Sequence, residues 1–347
     1  MVLFCQINYI KMKILKLNKQ KLWDTVAKYN NFILCLHVDA DADSLCSNIA
    51  MSKLLTQAGK KVTIVSGKNE TFSKELHGLD LLQFVINERV EDLRLNLMQN
   101  ACFIMIDASN EDRLHDMGDK MPLPKIVIDH HASNSITGAE LSIVDTDFSS
   151  ASQMVYELAD GHGFFMTDFL QAVFMGMYSD TGGFKYGLSA RVFEIAQIIQ
   201  EQVDMQPLIT AYNNSVGLDD LAMLAIATNH LEFFDGGNLR FLIAIISKDE
   251  MSKYSEISEE TNSNFVIKTL EQQKGIDVLV VASQNSEDLW RVRFRYFRKS
   301  SYAKTMAESF IGGGGHFDAG SATVVTNSPR TISVIVKNKA VQNYGNR

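Results

Sequence analysis

The sequence predicts an α/β protein with a parallel-sheet N-terminal domain, a smaller C-terminal α/β domain and a cleft between them. A length of 347 residues suits two domains better than one, because a domain has about 150 residues. In the first half, short β-rich runs alternate with helical patterns, which is typical of a parallel sheet covered by helices. The pattern of strands and helices returns after the turn signal Asp235-Gly236-Gly237-Asn238.

Apolar spacing predicts the individual elements. In the first part of the chain we predict strands at 32–36, 61–66, 101–106 and 125–128 and helices at 44–57, 150–161, 164–178, 191–203 and 219–234. Gly59 is expected to end the first helix, because glycine readily adopts the left-handed conformation that follows a helix. After Gly236 we predict strands at 239–247, 277–283 and 289–297 and helices at 266–273 and 301–311. The expected domains are 12–200 and 236–347, joined by a helical connector at 201–235.

Composition argues against several classes of protein. No apolar run approaches the roughly 20 residues that span a bilayer, so we expect no membrane partner. The formal net charge of −8 argues against binding to long duplex nucleic acid, which rests on many cationic contacts to phosphate. The four cysteines form no CxxC pair, which indicates a reducing compartment. We expect a cytoplasmic protein whose native chain starts at Met12.

Acidic residues and histidines follow three of the predicted strands, and a further aspartate ends a predicted helix. These residues are His37, Asp41, Asp43, Asp107, the run Asp129-His130-His131, and Asp180. A side chain directly after a strand lies at the carboxyl end of that strand, where ligands of parallel sheets gather. The pattern therefore predicts that carboxylates and imidazoles meet at one edge of the sheet.

Clustered carboxylates repel one another, and a dry cluster of them is costly. A pair of divalent cations removes the repulsion. Carboxylate and imidazole ligands without thiolate favour Mn²⁺ or Mg²⁺ over a structural zinc, although Zn²⁺, Co²⁺ and Fe²⁺ also accept them. Two such ions are the usual arrangement for displacement at phosphorus.

Each residue also has an ordinary structural interpretation. A single aspartate after a strand is more often a helix N-cap or a turn residue than a ligand. A single buried histidine is more often a hydrogen-bonded core residue. Four segments that repeat the pattern in order favour the metal site.

At these residues the sequence resembles the DHH phosphoesterase superfamily. The first motif is His37-x3-Asp41-x-Asp43, the second is Asp107, the third is Asp129-His130-His131, and the fourth is Asp180 in Asp-Thr-Gly-x-Phe. The run Gly312-Gly313-Gly314-Gly315-His316, followed by Ala319-Gly320, resembles the glycine-rich signature of the DHH-associated second domain. The subgroup of bifunctional oligoribonucleases and 3'-phosphoadenosine 5'-phosphate phosphatases is the most similar.

The resemblance implies a role for each matched position. One metal ion would be held by His37, Asp41 and Asp107, and the other by Asp43, Asp107, His130 and Asp180. His131 would face the substrate phosphate as a proton donor or a stabiliser of charge, and Asp129 would orient an imidazole. We expect two divalent ions, with Mn²⁺ ahead of Mg²⁺ or Co²⁺.

The C-terminal half contains two further candidate features. Residues 312–315 either end a helix as a glycine C-cap or form an anion-binding nest of backbone N–H groups, to which His316 would add a donor. Residues 291–298 alternate basic and apolar side chains, so their strand has a cationic face. This face is either a charged edge or a cradle for phosphate, and the resemblance favours Arg295 as the substrate contact.

We therefore expect a two-metal phosphoesterase in which a metal hydroxide attacks phosphorus. Its substrates would be short oligoribonucleotides and 3'-phosphoadenosine 5'-phosphate. Cyclic or linear dinucleotides are the alternative, polyphosphate or pyrophosphate is a poorer one, and a non-catalytic nucleotide-binding regulator is the last. A homodimer is compatible with the sequence.

Overall fold

The structure is a computed structural model of the 347-residue chain. It describes residues 15–38, 40–66, 72, 74–77, 79, 81–86, 101–108, 110, 126–132, 134–159, 166–257, 263–296, 302–315 and 319–345. The chain divides into two compact units, Met1–Ser215 and Val216–Arg347. The stretch 201–235, for which the sequence predicts a helical connector, contributes residues to both units.

In the first unit, six strands among the described residues form a parallel sheet in the order β3-β2-β1-β4-β5-β6. The strands are β1 Asn31–Cys35, β2 Lys61–Val65, β3 Val85–Ile86, β4 Ala101–Ile106, β5 Ile126–Asp129 and β6 Leu141–Val144. The predicted parallel sheet is confirmed. The strands β3 and β6 were not predicted from the sequence.

The helices of the first unit are α1 at 15–26, α2 Ala42–Gln57, α3 Lys74–His77, α4 Ala151–Ala159, α5 Thr167–Asp180, α6 Ala190–Gln200 and α7 Gln206–Asn213, with a 3-10 helix at Leu82–Phe84. Successive side chains of β1 point to opposite faces of the sheet. Phe32 and Leu34 are buried in one core, whereas Ile33 and Cys35 are buried in another. Burial on both faces explains the continuous apolar run of this strand.

In the second unit, six strands among the described residues form a mixed sheet in the order β11-β12-β10-β9-β8-β7. The strands β8 and β9 are parallel, and the other neighbours are antiparallel. The strands are β7 Leu231–Gly236, β8 Leu239–Ile246, β9 Val278–Gln284, β10 Leu289–Tyr296, β11 Gly314–Gly315 and β12 Ala319–Val325. The helices are α8 Leu218–Asn229, α9 Lys248–Met251, α10 Asn264–Leu270, α11 Tyr302–Glu308 and α12 Pro329–Tyr344.

The predicted helix at 219–234 was wrong at its C-terminal end. The helix α8 ends at Asn229, and the next residues form β7, which pairs antiparallel with β8. Gly236 pairs with Leu239, so Gly237 and Asn238 form a two-residue hairpin turn in which Gly237 has a φ of 65°. A two-residue turn with positive φ matches the twist of the two strands, and the pairing overrides the helical pattern of the preceding residues.

Within the described part of the chain, every helix is too short or too polar to cross a membrane.

Candidate metal centre

Three neighbouring strands place most of the candidate residues. The strand β4 lies between β1 and β5 in the sheet. His37 follows β1 by two residues, Asp107 follows β4 directly, and Asp129 is the last residue of β5. The parallel pairing brings the carboxyl ends of the three strands to one edge, and His130 and His131 continue beyond it.

Two helices supply the remaining carboxylates. Asp41 is the N-cap of α2 and accepts a hydrogen bond from the Ser44 N–H at 3.0 Å. Asp43 lies in the first turn of α2 and is buried. Asp180 is the last residue of α5, which packs against α2. The contact between these helices places Asp43 and Asp180 at the same site although they are 137 positions apart in sequence.

The side chains form two groups around Asp107. In one group, His37 Nε2 lies 3.9 Å from Asp41 Oδ1 and 3.7 Å from Asp107 Oδ2. In the other group, His130 Nε2 lies 3.3 Å from Asp107 Oδ1, 3.5 Å from Asp180 Oδ2 and 4.0 Å from Asp43 Oδ2. Asp107 therefore directs one carboxylate oxygen to each group.

The ring of His37 has a fixed orientation. Its Nδ1 lies 2.8 Å from the backbone oxygen of Val38. A carbonyl oxygen can only accept a hydrogen bond, so Nδ1 carries the proton. The lone pair of Nε2 is then directed towards Asp41 and Asp107, which is the form in which histidine binds a metal ion.

The ring of His131 is held by Asp129 instead. His131 Nδ1 lies 2.8 Å from Asp129 Oδ1, which also accepts the His131 backbone N–H at 3.2 Å. The other oxygen of Asp129 accepts a hydrogen bond from Asn134 Nδ2 at 2.7 Å. Asp129 is buried, whereas the His131 side chain is 42% exposed. This arrangement fixes the imidazole while leaving part of the ring accessible.

The buried carboxylate of Asp43 receives two backbone hydrogen bonds from the start of α4. The Ala151 N–H donates to Oδ2 at 2.6 Å, and the Ser152 N–H donates to Oδ1 at 3.0 Å. Gly176 of α5 lies directly beside this pair. A Cβ atom at Gly176 would lie 1.9 Å from Ser152 Oγ and 2.7 Å from Asp43 Oδ1, so a side chain does not fit here.

The carboxylates of the cluster have shifted pKa values because they are buried beside one another and beside histidines. Burial and the nearby carboxylates of Asp107 and Asp180 raise the pKa of Asp43. Burial, opposed by His130, raises the pKa of Asp180 to about 6. Burial also acts on Asp107, but its attraction to His130 and His37 lowers its pKa to about 2. The acids and imidazoles thus compete for protons, which is the situation that a bound cation relieves.

The hydrogen bonding of the cluster also favours bound metal ions. Among the described residues, the buried atoms Asp107 Oδ1 and His130 Nε2 lie 3.3 Å apart without the geometry of a hydrogen bond, and neither has another hydrogen-bond partner. Buried polar atoms are nearly always paired, and unpaired ones call for an explanation such as an ion. Within each of three sets of residues, the possible ligand atoms lie within 4.8 Å of one another. The sets are His37, Asp41 and Asp107; Asp43, His130 and Asp180; and Asp107, His130 and His131. The donor set is carboxylate and imidazole, which suits divalent cations.

The candidates of the second unit have a different environment. Arg295 of β10 is partly buried, and its Nη1 donates to the backbone oxygen of Phe294 at 3.1 Å. Gly312 has a φ of 72° shortly after α11, and a Cβ at Gly313 would lie 1.9 Å from the backbone oxygen of Ala307. The backbone conformation of Gly312 and the packing of Gly313 therefore favour glycine whether or not a ligand binds. Gly314 and Gly315 form β11, and His316 lies outside the described residues.

Three features of the site were not predicted from the sequence. They are Asn134, which binds Asp129, the backbone N–H groups at the start of α4, and the close approach of Gly176. The residues Ser149-Ser150 before α4 carry an N-cap signal, and a glycine inside a helix often has a packing reason. Neither signal says which distant side chain is contacted.

Comparison with known proteins agrees with this geometry. Residues 31–177 match the DHH family, N-terminal domain. Over 88% of its length the chain is 25% identical to the bifunctional oligoribonuclease and PAP phosphatase NrnA of Bacillus subtilis, and the match covers 93% of that protein. Over 44% of its length it is 27% identical to the protein of the same name from Thermus thermophilus, covering 44% of that protein.

A solved structure shows the same fold. The crystal structure of an exopolyphosphatase-related protein from Bacteroides fragilis has a TM-score of 0.83 and 19% identity, and the match covers 95% of this chain and 96% of that one. The family match and the site together define the chain as a metal-dependent hydrolase. Residues 31–177 thus carry the N-terminal domain of the DHH family.

Proposed function

We propose that the chain hydrolyses short oligoribonucleotides and 3'-phosphoadenosine 5'-phosphate with the help of two divalent metal ions. The observation that carries the proposal is the pair of ligand groups that share Asp107. The similarity to a bifunctional oligoribonuclease and PAP phosphatase along most of both chains supports the substrate class.

The two groups suggest which residues hold which ion. His37, Asp41 and Asp107 would hold one ion, and Asp43, Asp107, His130 and Asp180 would hold the other. We propose Mn²⁺ as the preferred ion, with Mg²⁺ and Co²⁺ as substitutes, because the ligands are oxygen and imidazole. Such ions polarise a phosphoryl oxygen and lower the pKa of water towards neutrality.

His131 is proposed to contact the substrate phosphate. Its Nδ1–H is directed to Asp129, so Nε2 is the atom that meets the substrate. A proton on Nε2 would stabilise the charge that develops on the phosphoryl group or would pass to the leaving oxygen. Asp129 and Asn134 would orient the ring without touching the substrate.

In the second unit, Arg295 and the run Gly312-Gly313-Gly314-Gly315-His316 are proposed to bind the nucleotide portion of the substrate. The planar fork of arginine matches phosphate oxygens, and consecutive backbone N–H groups can bind an anion. The exposed Arg291 on the same strand is the natural comparison, because the two side chains differ in burial.

The substrate class can be tested with a panel of compounds. Short RNAs of two to five nucleotides, 3'-phosphoadenosine 5'-phosphate, cyclic dinucleotides, pyrophosphate and polyphosphate would each be assayed with Mn²⁺ and with Mg²⁺. We expect release of mononucleotides from the short RNAs and of phosphate from 3'-phosphoadenosine 5'-phosphate. Hydrolysis of polyphosphate without hydrolysis of any nucleotide would overturn the substrate proposal.

A further inference from the structure

The carboxylate of Asp43, a proposed metal ligand, is also held by the first residues of the helix α4. Asp43 is 1% exposed, and each of its carboxylate oxygens accepts one backbone N–H from the first two residues of α4. The N-terminus of a helix carries a partial positive charge and unpaired N–H groups. The helix therefore stabilises Asp43 as a carboxylate and fixes the rotation of the group.

Gly176 makes this contact sterically feasible. The helix α5 passes so close to α4 that a Cβ at Gly176 would overlap Ser152 and lie 2.7 Å from Asp43 Oδ1. Asp180 follows Gly176 by four residues on α5, so both lie on the same face of the helix. The close approach and the position of the Asp180 ligand are thus set by one helix face.

We propose that Gly176 and the two N–H groups at the start of α4 position Asp43 as a ligand of the ion shared with His130 and Asp180. The proposal rests on the proposed function, because it assumes that two ions bind. The two hydrogen bonds from α4 and the close approach of Gly176 reach Asp43, which belongs to the group of His130 and Asp180 and not to the group of His37, Asp41 and Asp107. Changes at α4 and Gly176 should therefore weaken one ion and spare the other.

A purely structural interpretation also exists. Asp43 would then be a capping group for α4 supplied by another helix, and its loss would lower stability without changing the ratio of the two metal affinities. The two interpretations differ in the metal titration rather than in the stability of the fold.

The first test removes one hydrogen-bond donor. Ala151 is the first residue of α4, where proline is tolerated because its missing N–H has no partner within the helix. The variant Ala151→Pro deletes the N–H that binds Asp43 Oδ2. The matched control is Ala190→Pro, which makes the same change at the first residue of α6, after an extended N-cap at Ser189.

Mn²⁺ binding would be measured by calorimetric titration of the full chain, with circular dichroism to verify folding. We expect Ala151→Pro to weaken one Mn²⁺ by about 10-fold or more, the usual effect of losing a group that orients a ligand, and to leave the other unchanged. Ala190→Pro should bind both ions like the wild type. Equal affinities in Ala151→Pro and the wild type would overturn the proposal.

A second pair of variants covers the case in which Ala151→Pro does not fold. Gly176→Ala combined with Ser152→Gly removes the overlap with Ser152 and keeps the 2.7 Å approach to Asp43. Ser152→Gly by itself is the control. The double variant should bind one Mn²⁺ at least about 10-fold more weakly than the control, and equal binding would contradict the proposal. A wild-type chain that binds fewer than two ions would instead refute the proposed function.

Discussion

The metal centre of the first unit and the arginine strand β10 of the second unit are both candidate phosphate sites, but they differ in how their polar groups are satisfied. In the metal centre, Asp107 Oδ1 and His130 Nε2 are buried without a hydrogen-bond partner among the described residues. On β10, Arg293 is bound by Ser263 and Asn264, and Arg295 donates to a backbone oxygen. The first set calls for a cation, whereas the second is already hydrogen-bonded within the protein.

The two regions also arise differently. The metal centre combines residues from five elements that converge at one edge of a sheet, namely the ends of β1, β4 and β5, the start of α2 and the end of α5. The arginine face comes from the alternation of side chains along one strand. Buried carboxylates that converge are costly without a counter-charge. The strand β10 pairs with β12 and β9 and is therefore not a charged edge, but alternation of polar and apolar side chains is common in antiparallel sheets with one solvated face. The metal centre is therefore the firmer assignment.

The largest effect is expected at Asp107, which serves both groups. Asp107 has a φ of 62°, a conformation that asparagine also tolerates, so Asp107→Asn removes the charge without adding backbone strain. We expect a loss of activity of about 10³-fold, the size reported for removing a group that stabilises transition-state charge. The exposed Asp235→Asn is the control. If the activity of Asp107→Asn lay within a few-fold of the wild type, Asp107 would not be needed to hold metal ions, and the metal centre would no longer be a firmer assignment than β10.

A somewhat smaller effect is expected at His131. The variant His131→Ala should lower kcat by about 10²-fold, the lower range for a general acid or base, while both Mn²⁺ ions still bind. Steady-state kinetics and a metal titration on the same preparation check the two parts. If His131→Ala lost an ion together with its activity, His131 would be a metal ligand, as the third ligand set allows.

Arg295 tests whether the arginine strand takes part at all. We expect Arg295→Ala to raise KM by about 10-fold with little change in kcat, since a hydrogen bond to a charged group contributes about 1.5–3 kcal/mol. Arg291→Ala, which removes an exposed side chain of the same strand, should leave KM unchanged. Equal KM values in both variants and the wild type would mean that the arginines of β10 do not contact the substrate.

The smallest effects are expected in the glycine run Gly312–Gly315. Substitutions at two of its positions distinguish a role in packing from a role in substrate binding. A Cβ at Gly313 would overlap the backbone of Ala307, whereas a Cβ at Gly314 would meet nothing within 4 Å among the described residues. Gly313→Ala should lower the free energy of unfolding by about 1–3 kcal/mol through overpacking. Gly314→Ala should leave stability unchanged and raise KM if the run binds substrate. Unfolding in urea and steady-state kinetics measure the two quantities.

Much of the metal centre could be predicted because its residues follow buried apolar runs. The order of the strands did not have to be known, since parallel strands all end at the same edge. Asp41 shows that the structural and the functional interpretation can both hold, because it caps α2 and also lies 3.9 Å from His37. The roles of the individual ligands stay predictions.

Contacts between distant segments could not be predicted. Asn134 reaches Asp129, and Gly176 lies against Asp43, through packing that no local pattern encodes. The strand β7 was predicted as helix because residues 231–234 continue an apolar pattern, and its identity depends on pairing with β8. The signature at 312–316 stays a prediction for substrate binding, and part of it lies outside the described residues.

The most direct test of the metal centre is the number of Mn²⁺ ions that the full chain binds. A calorimetric titration of the metal-free wild type should give two ions per chain, and the same titration of Asp107→Asn should show weakened binding of both. A wild-type stoichiometry of one or zero, or an Asp107→Asn variant that binds two ions as tightly as the wild type, would contradict the account.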